Sequence, residues 1–185
     1  MAPYRRVSKR EVYRNRWIAV EAHAVVHPSG KEGEHVAIEC PPPSAVLVDD
    51  GGDLLFTRQA RFAISADAIE IVKGGANAGE DPLACAKREL REELGLLALS
   101  WEPLGILFEI PSIVAHPVTL FLARDIEHVV DDQEDVERIE LVRVPAAEAL
   151  AAASAGKIND AVTIAALFRY DYMLRQRSSA SVTSA

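Results

Sequence analysis

The chain sets 20 Lys and Arg against 28 Asp and Glu over 185 residues, a formal net charge of −8 at pH 7. That length suits one domain with a modest accessory element and an ample core, and the acidic balance argues against polymeric nucleic acid as the main partner. No apolar run approaches the ~20 residues of a membrane span, the basic N-terminus lacks a following apolar stretch, and Cys40 and Cys85 are too few for a disulfide framework.

Residues 1–16 carry Arg5, Arg6, Lys9, Arg10, Arg14 and Arg16 against a single Glu11 and read as a solvated arm. Residues 17–27 alternate loosely and are rich in β-formers. The turn signal Pro28-Ser29-Gly30 and a second strand over 34–40 complete a β-hairpin. Pro41-Pro42-Pro43 breaks the pattern, so an N-terminal β element over 1–43 is expected to precede a main domain over 44–177. Strands over 45–48 and 54–57 flank Asp49-Asp50-Gly51-Gly52 as another hairpin. A short strand over 69–72 and further strands near 101–109, 117–123 and 139–144 follow. Helices are expected over 146–153 and about 160–175, the latter packing through Val162, Ala165, Ala166 and Phe168. Residues 178–185 are small and polar, as in a disordered tail. The two cysteines read as small buried hydrophobes of a cytoplasmic protein.

The order of these elements fits a mixed sheet with helices on both faces. The stretch that organises it is 74–96, GGANAGEDPLACAKRELREELGL. Asp81 is a good N-cap, Pro82 suits the first helical turn, and Gly95 suits the C-terminal stop. Glu89, Glu92 and Glu93 then fall at i, i+3 and i+4 and share one helix face. Like charges at that spacing cost a plain surface helix a few tenths of a kcal/mol per pair. Carboxylate clusters of this kind suit Mg²⁺ or Mn²⁺, which take oxygen ligands and leave room for substrate phosphates. An acidic chain can bind an anionic nucleotide when metal supplies the positive charge locally. Gly74, Gly75 and Gly79 form a loop that can bring backbone close to an ion or phosphate. The alternative is a solvated helix in which Lys87, Arg88 and Arg91 balance the glutamates.

The full spacing of Gly74, Glu80, Arg88, Glu89, Glu92, Glu93 and Gly95 resembles the Nudix box. The resemblance implies an α/β/α sandwich and a pyrophosphohydrolase that cleaves a nucleoside diphosphate linked to another group. Arg58-Gln59-Ala60-Arg61, Glu70 before Gly74, Pro111 and Lys157-Ile158-Asn159-Asp160 are similar to the ADP-ribose pyrophosphatase-like branch, whose N-terminal hairpin contributes to a homodimer. One departure is the segment from Pro111 to Pro117, which lacks the acid that follows the proline in many relatives. That looks closer to members acting on several ADP-containing compounds.

The resemblance also distributes roles. Glu89 and Glu93, supported by Glu92, and the backbone carbonyl of Lys73 are implied to hold metal, with Glu92 also counted among the catalytic acids. Gly74, Glu80, Arg88 and Gly95 frame the box, Arg88 orienting carboxylates. Glu70, Arg61 and Trp17 are implied at the substrate, Arg61 on diphosphate or ribose and Trp17 stacked on adenine. For Trp17 the alternative is a core or hairpin-packing residue. The dense acidic run over 131–137 is implied to supply Glu137 as a further ligand and Glu134 or Asp135 as general base; the alternative is a solvated turn. A hydrolase of another nucleotide sugar is the competing reading. A non-catalytic nucleotide sensor would tend to lose box acids, and all are present.

Overall fold

The structure, a computed structural model, describes residues 4–129 and 139–183. It divides into two compact units, one of Met1–Pro42 with Phe108–Pro117, the other of Pro43–Leu107 with Val118–Ala185.

The first unit is a three-stranded antiparallel sheet in the order β1-β2-β3, with β1 Arg5–Arg14, β2 Ala19–Val26 and β3 Glu32–Glu39. The expected hairpin is β2–β3. The basic arm is a correction: it is strand β1, paired with β2 along its length. Every β1 residue is exposed, so the strand is held by its backbone ladder and leaves no buried-face pattern in the sequence. Residues 108–117 return to this unit, where Ile38 donates to the Ile113 carbonyl at 2.7 Å.

The second unit is built on a seven-stranded mixed sheet. Its central order is β10-β5-β4-β9-β8, with β4 Pro43–Asp50, β5 Asp53–Arg61, β8 Leu96–Leu107, β9 Val118–His128 and β10 Glu140–Pro145. Two short strands, β6 Ala66–Glu70 and β7 Val72–Gly75, pair with β5 and β4. Only β4 and β9 run parallel among these pairs. The apolar run of β4 is explained by burial on both faces. Ala45 and Leu47 join one core, Val46 and Val48 the other.

Helix α1, Pro82–Leu94, covers the second of these faces through Ala86, Leu90 and Leu94. Its caps are the expected ones: Asp81 accepts from Leu83 N–H at 2.9 Å, and Gly95 adopts φ 61°. Helices α2, Ala146–Ser154, and α3, Ala161–Thr183, cover the first face. The sequence places Phe168 in that packing, but it is 69% exposed, and Leu167 and Tyr170 fill the core instead. Helix α3 also continues through Thr183, into the segment read as a disordered tail. The hydroxyls of Ser178 and Ser179 there bond back to the Leu174 and Arg175 carbonyls one turn earlier. Both cysteines are free; Cys85 is buried, whereas Cys40 is only half-buried. No described helix is long and apolar enough to cross a membrane.

Candidate active site

The site is built where β7 delivers its backbone against the acidic face of α1. A β-carbon on Gly74 would overlap the carboxylate of Glu89, so this strand position admits only glycine while Glu89 stays where it is. Gly79, at φ 76°, turns the intervening loop, and Asn77 N–H donates to Glu80 at 2.7 Å to close it.

Arg88 ties the loop to the helix. Its guanidinium donates to Glu80 through Nε and Nη2, each at 3.0 Å, and to the Gly75 carbonyl at 2.9 Å. Its Nη1 donates to Glu89 and to Glu92, each at 2.7 Å. The bond from Arg88 holds the Glu80 carboxyl below its ordinary range, and Arg88 itself is raised, first by Glu80. Glu89 moves the other way. Burial pushes its carboxyl up, and Arg88 offsets this only in part.

Helical spacing puts Glu89, Glu92 and Glu93 on one face, and Glu93 is buried at 7% exposure. Among the described residues, however, no three His, Cys, Asp or Glu side chains converge as a metal cluster would require. The physical reason is Arg88, to which Glu89 and Glu92 are turned. The donor chemistry still fits a hard divalent cation. The face offers carboxylate oxygens, its floor is a glycine, and Arg88 offsets only in part the desolvation of the half-buried Glu89 carboxyl.

A second cluster stands beside this face. Arg61, at the end of β5, grips Glu70 of β6 through both Nε, at 3.0 Å, and Nη2. Lys73 Nζ lies 3.6 Å from Glu70 and 2.6 Å from Asp160, at the start of α3. Burial works against the charge on Arg61, but Glu70, Glu93 and Asp160 together raise its pKa. Arg61, Glu70, Lys73 and Glu93, four residues singled out from the sequence, therefore share one electrostatic neighbourhood.

Trp17 belongs to the first unit, in the turn between β1 and β2. It is 60% exposed, with the Arg16 guanidinium 4.3 Å above its ring, so it is not the core residue of the alternative reading. Glu134, Asp135 and Glu137 lie outside the described residues. Sequence reasoning noticed Asp160 in a family pattern without giving it a task. The signal was its spacing to Thr163, that of an N-cap and its N3 partner, which the structure realises at 2.9 Å.

Residues 40–166 match the NUDIX domain family. The chain belongs to the Nudix family. Residues 4–35 of this Nudix protein also match the nucleoside diphosphate sugar hydrolase N-terminal domain. It is 27% identical over 164 residues to an ADP-ribose pyrophosphatase of Bacillus subtilis (strain 168), covering 87% of this chain and 89% of that one. It is 32% identical over 123 residues to an ADP-ribose pyrophosphatase of Mycobacterium tuberculosis (strain ATCC 25618 / H37Rv), covering 65% and 59% of the two chains. Its fold is similar to the crystal structure of an ADP compounds hydrolase, with TM-score 0.84 at 22% identity over 96% of this chain and 97% of that one. The expected α/β/α Nudix sandwich is the observed fold, and the protein is a Nudix pyrophosphohydrolase of the ADP-ribose pyrophosphatase-like branch.

Proposed function

We propose that this Nudix hydrolase cleaves the diphosphate bond of ADP-containing compounds, such as ADP-ribose, dinucleotides or ADP-sugars, to AMP and a second phosphate ester. The observation that carries the reading is the placement of Arg61 beside both Glu70 and Glu93, next to the glycine-floored glutamate face. A diphosphate needs a guanidinium fork and a hard-cation site side by side, and this neighbourhood offers both chemistries. The names of the relatives agree with an ADP compound as substrate.

Glu89, Glu93, Glu92 and the Lys73 carbonyl are the groups that would hold Mg²⁺ or Mn²⁺. Bound metal supplies charge neutralisation on the phosphates and a water of lowered pKa. Arg88 holds Glu80, Glu89 and Glu92 close together, and Glu89 and Glu92 would turn from its guanidinium to meet a cation. Arg61 is assigned to the diphosphate or ribose, with Glu70 fixing its orientation. Trp17 is assigned to adenine stacking, Glu134 or Asp135 to the general base, and Glu137 to a further ligand. In the reaction the water oxygen bonds to one phosphorus, the bridging oxygen leaves with the other phosphate, and the base takes the proton. We assign the N-terminal sheet to homodimer formation and the enzyme to the cytoplasm.

A second reading is hydrolysis of another nucleoside diphosphate sugar, favoured by the match of residues 4–35. Purified protein with Mg²⁺ should be incubated with ADP-ribose, dinucleotides, ADP-sugars and sugar nucleotides of other bases, and the products separated. Release of AMP in preference to other monophosphates is expected. Preferential cleavage of a guanosine or uridine sugar nucleotide would replace the first reading by the second.

A further inference from the structure

The junction between β6 and β7 is fastened to the first turn of α3 by two bonds. Thr163 Oγ1 accepts the Ile71 N–H at 3.0 Å, and Lys73 Nζ donates to Asp160 Oδ1 at 2.6 Å. Asp160 closes the fastening with its other oxygen, which accepts from Thr163 N–H at 2.9 Å and Thr163 Oγ1 at 2.7 Å. The threonine hydroxyl thus gives its proton to Asp160 and its lone pair to Ile71. The next residue after Lys73 is Gly74, the glycine against which Glu89 packs.

We propose that Asp160 is a positioning residue for the metal-binding face, acting through Lys73. The inference rests on the metal-dependent reading above and extends it to a residue that touches neither metal nor substrate. Two physical consequences follow from the geometry. First, the backbone from Ile71 to Gly74 is pinned from the α3 side, which fixes the Lys73 carbonyl and the gap that receives Glu89. Second, Asp160 decides which cation Glu70 holds. Lys73 lies 2.6 Å from Asp160 but 3.6 Å from Glu70, while Glu70 is gripped by Arg61. The side chains of Lys73 and Asp160 are 18% and 13% exposed, so neither charge has ready access to water as a replacement partner. Without the Asp160 charge, Lys73 turns to Glu70 and competes with Arg61 for it. The strand is then drawn away from the glutamate face, and the Arg61 fork is loosened.

A helix cap alone would not do this, and the two roles are separable. Asp160→Asn keeps an oxygen for the Thr163 N–H and removes the charge that holds Lys73. Asp160→Ser does the same with a smaller side chain, should the asparagine variant fail to fold. Mn²⁺ binding to the full chain would be measured without substrate by electron paramagnetic resonance, for the wild type, Asp160→Asn, Lys73→Met and the double variant, with melting curves in parallel. Loss of an outer partner of a metal site typically costs about 10–100-fold in affinity, so Asp160→Asn should weaken Mn²⁺ by about tenfold or more. In the Lys73→Met background the same change should have little further effect, because the residue that transmits it is gone. A lowered melting temperature with unchanged Mn²⁺ affinity would reduce Asp160 to a cap and overturn the inference while leaving the proposed function intact. Equal losses in both backgrounds would overturn the route through Lys73. A wild type that binds no Mn²⁺ at millimolar concentration would overturn the metal-dependent reading itself, and this inference with it.

Discussion

Gly74 and Glu89 occupy each other's space: a β-carbon on the glycine would overlap the carboxyl group of the glutamate, which the strand-loop-helix unit brings back from fifteen residues along the chain. The atom in the way is the far end of a flexible side chain, so Gly74→Ala should fold, with Glu89 swung aside. Its effect should therefore fall on activity. A loss of about 10–100-fold in kcat with a small change in melting temperature is expected, in line with disturbed metal-ligand geometry. Full activity in the alanine variant would show that Glu89 has no fixed task.

Trp17 is exposed, and the Arg16 guanidinium over its ring covers only one of the two faces on which a base could stack. Base stacking on aromatic side chains is worth roughly 1–3 kcal/mol, so Trp17→Ala should raise KM for ADP compounds by about fivefold or more at little cost in stability. An unchanged KM would return Trp17 to a structural role in its turn.

Neutralising Glu134, Asp135 and Glu137 one at a time tests the assignment of the base. The base variant should lower kcat with little change in KM, and the acidic limb of its pH profile should shift or vanish. Full activity in all three would place the base elsewhere.

Loss of stability at high pH has an identifiable source in the second unit. Tyr170 of α3 donates to Asp49 at 3.1 Å, and burial followed by the Asp49 charge pushes its phenol up to about 12. A group whose folded pKa is raised contributes stability that is present below its unfolded pKa of about 10 and lost as pH rises through the folded value. Denaturant unfolding between about pH 10 and about pH 12, the window those two values set, should show wild-type stability falling by on the order of 2 kcal/mol more than that of Tyr170→Phe. Parallel pH curves for the two proteins would contradict the assignment.

The box helix was legible because its determinants are local: Asp81, Pro82 and Gly95 mark its ends, and the glutamate spacing marks its face. Strand β1 was not, because all its residues are exposed and no period distinguishes a paired edge strand from a solvated arm. The acids on α1 were read correctly as sharing a face, but their engagement by Arg88 depends on side-chain rotamers rather than spacing. Lys73 was noticed only for its carbonyl. The partner of its side chain lies 87 residues away, a pairing that only the packing of α3 on the sheet discloses.

The most direct test of a metal-dependent pyrophosphohydrolase is AMP release from ADP-ribose at saturating Mg²⁺ by the wild type and Glu93→Gln, with melting temperatures measured alongside. Glu93 is buried on the acidic face, and the substitution relieves carboxylate repulsion while removing a metal ligand. The account predicts AMP from the wild type, turnover lower by orders of magnitude in the variant, and an unchanged or higher melting temperature. A variant that releases AMP at near the wild-type rate would contradict it.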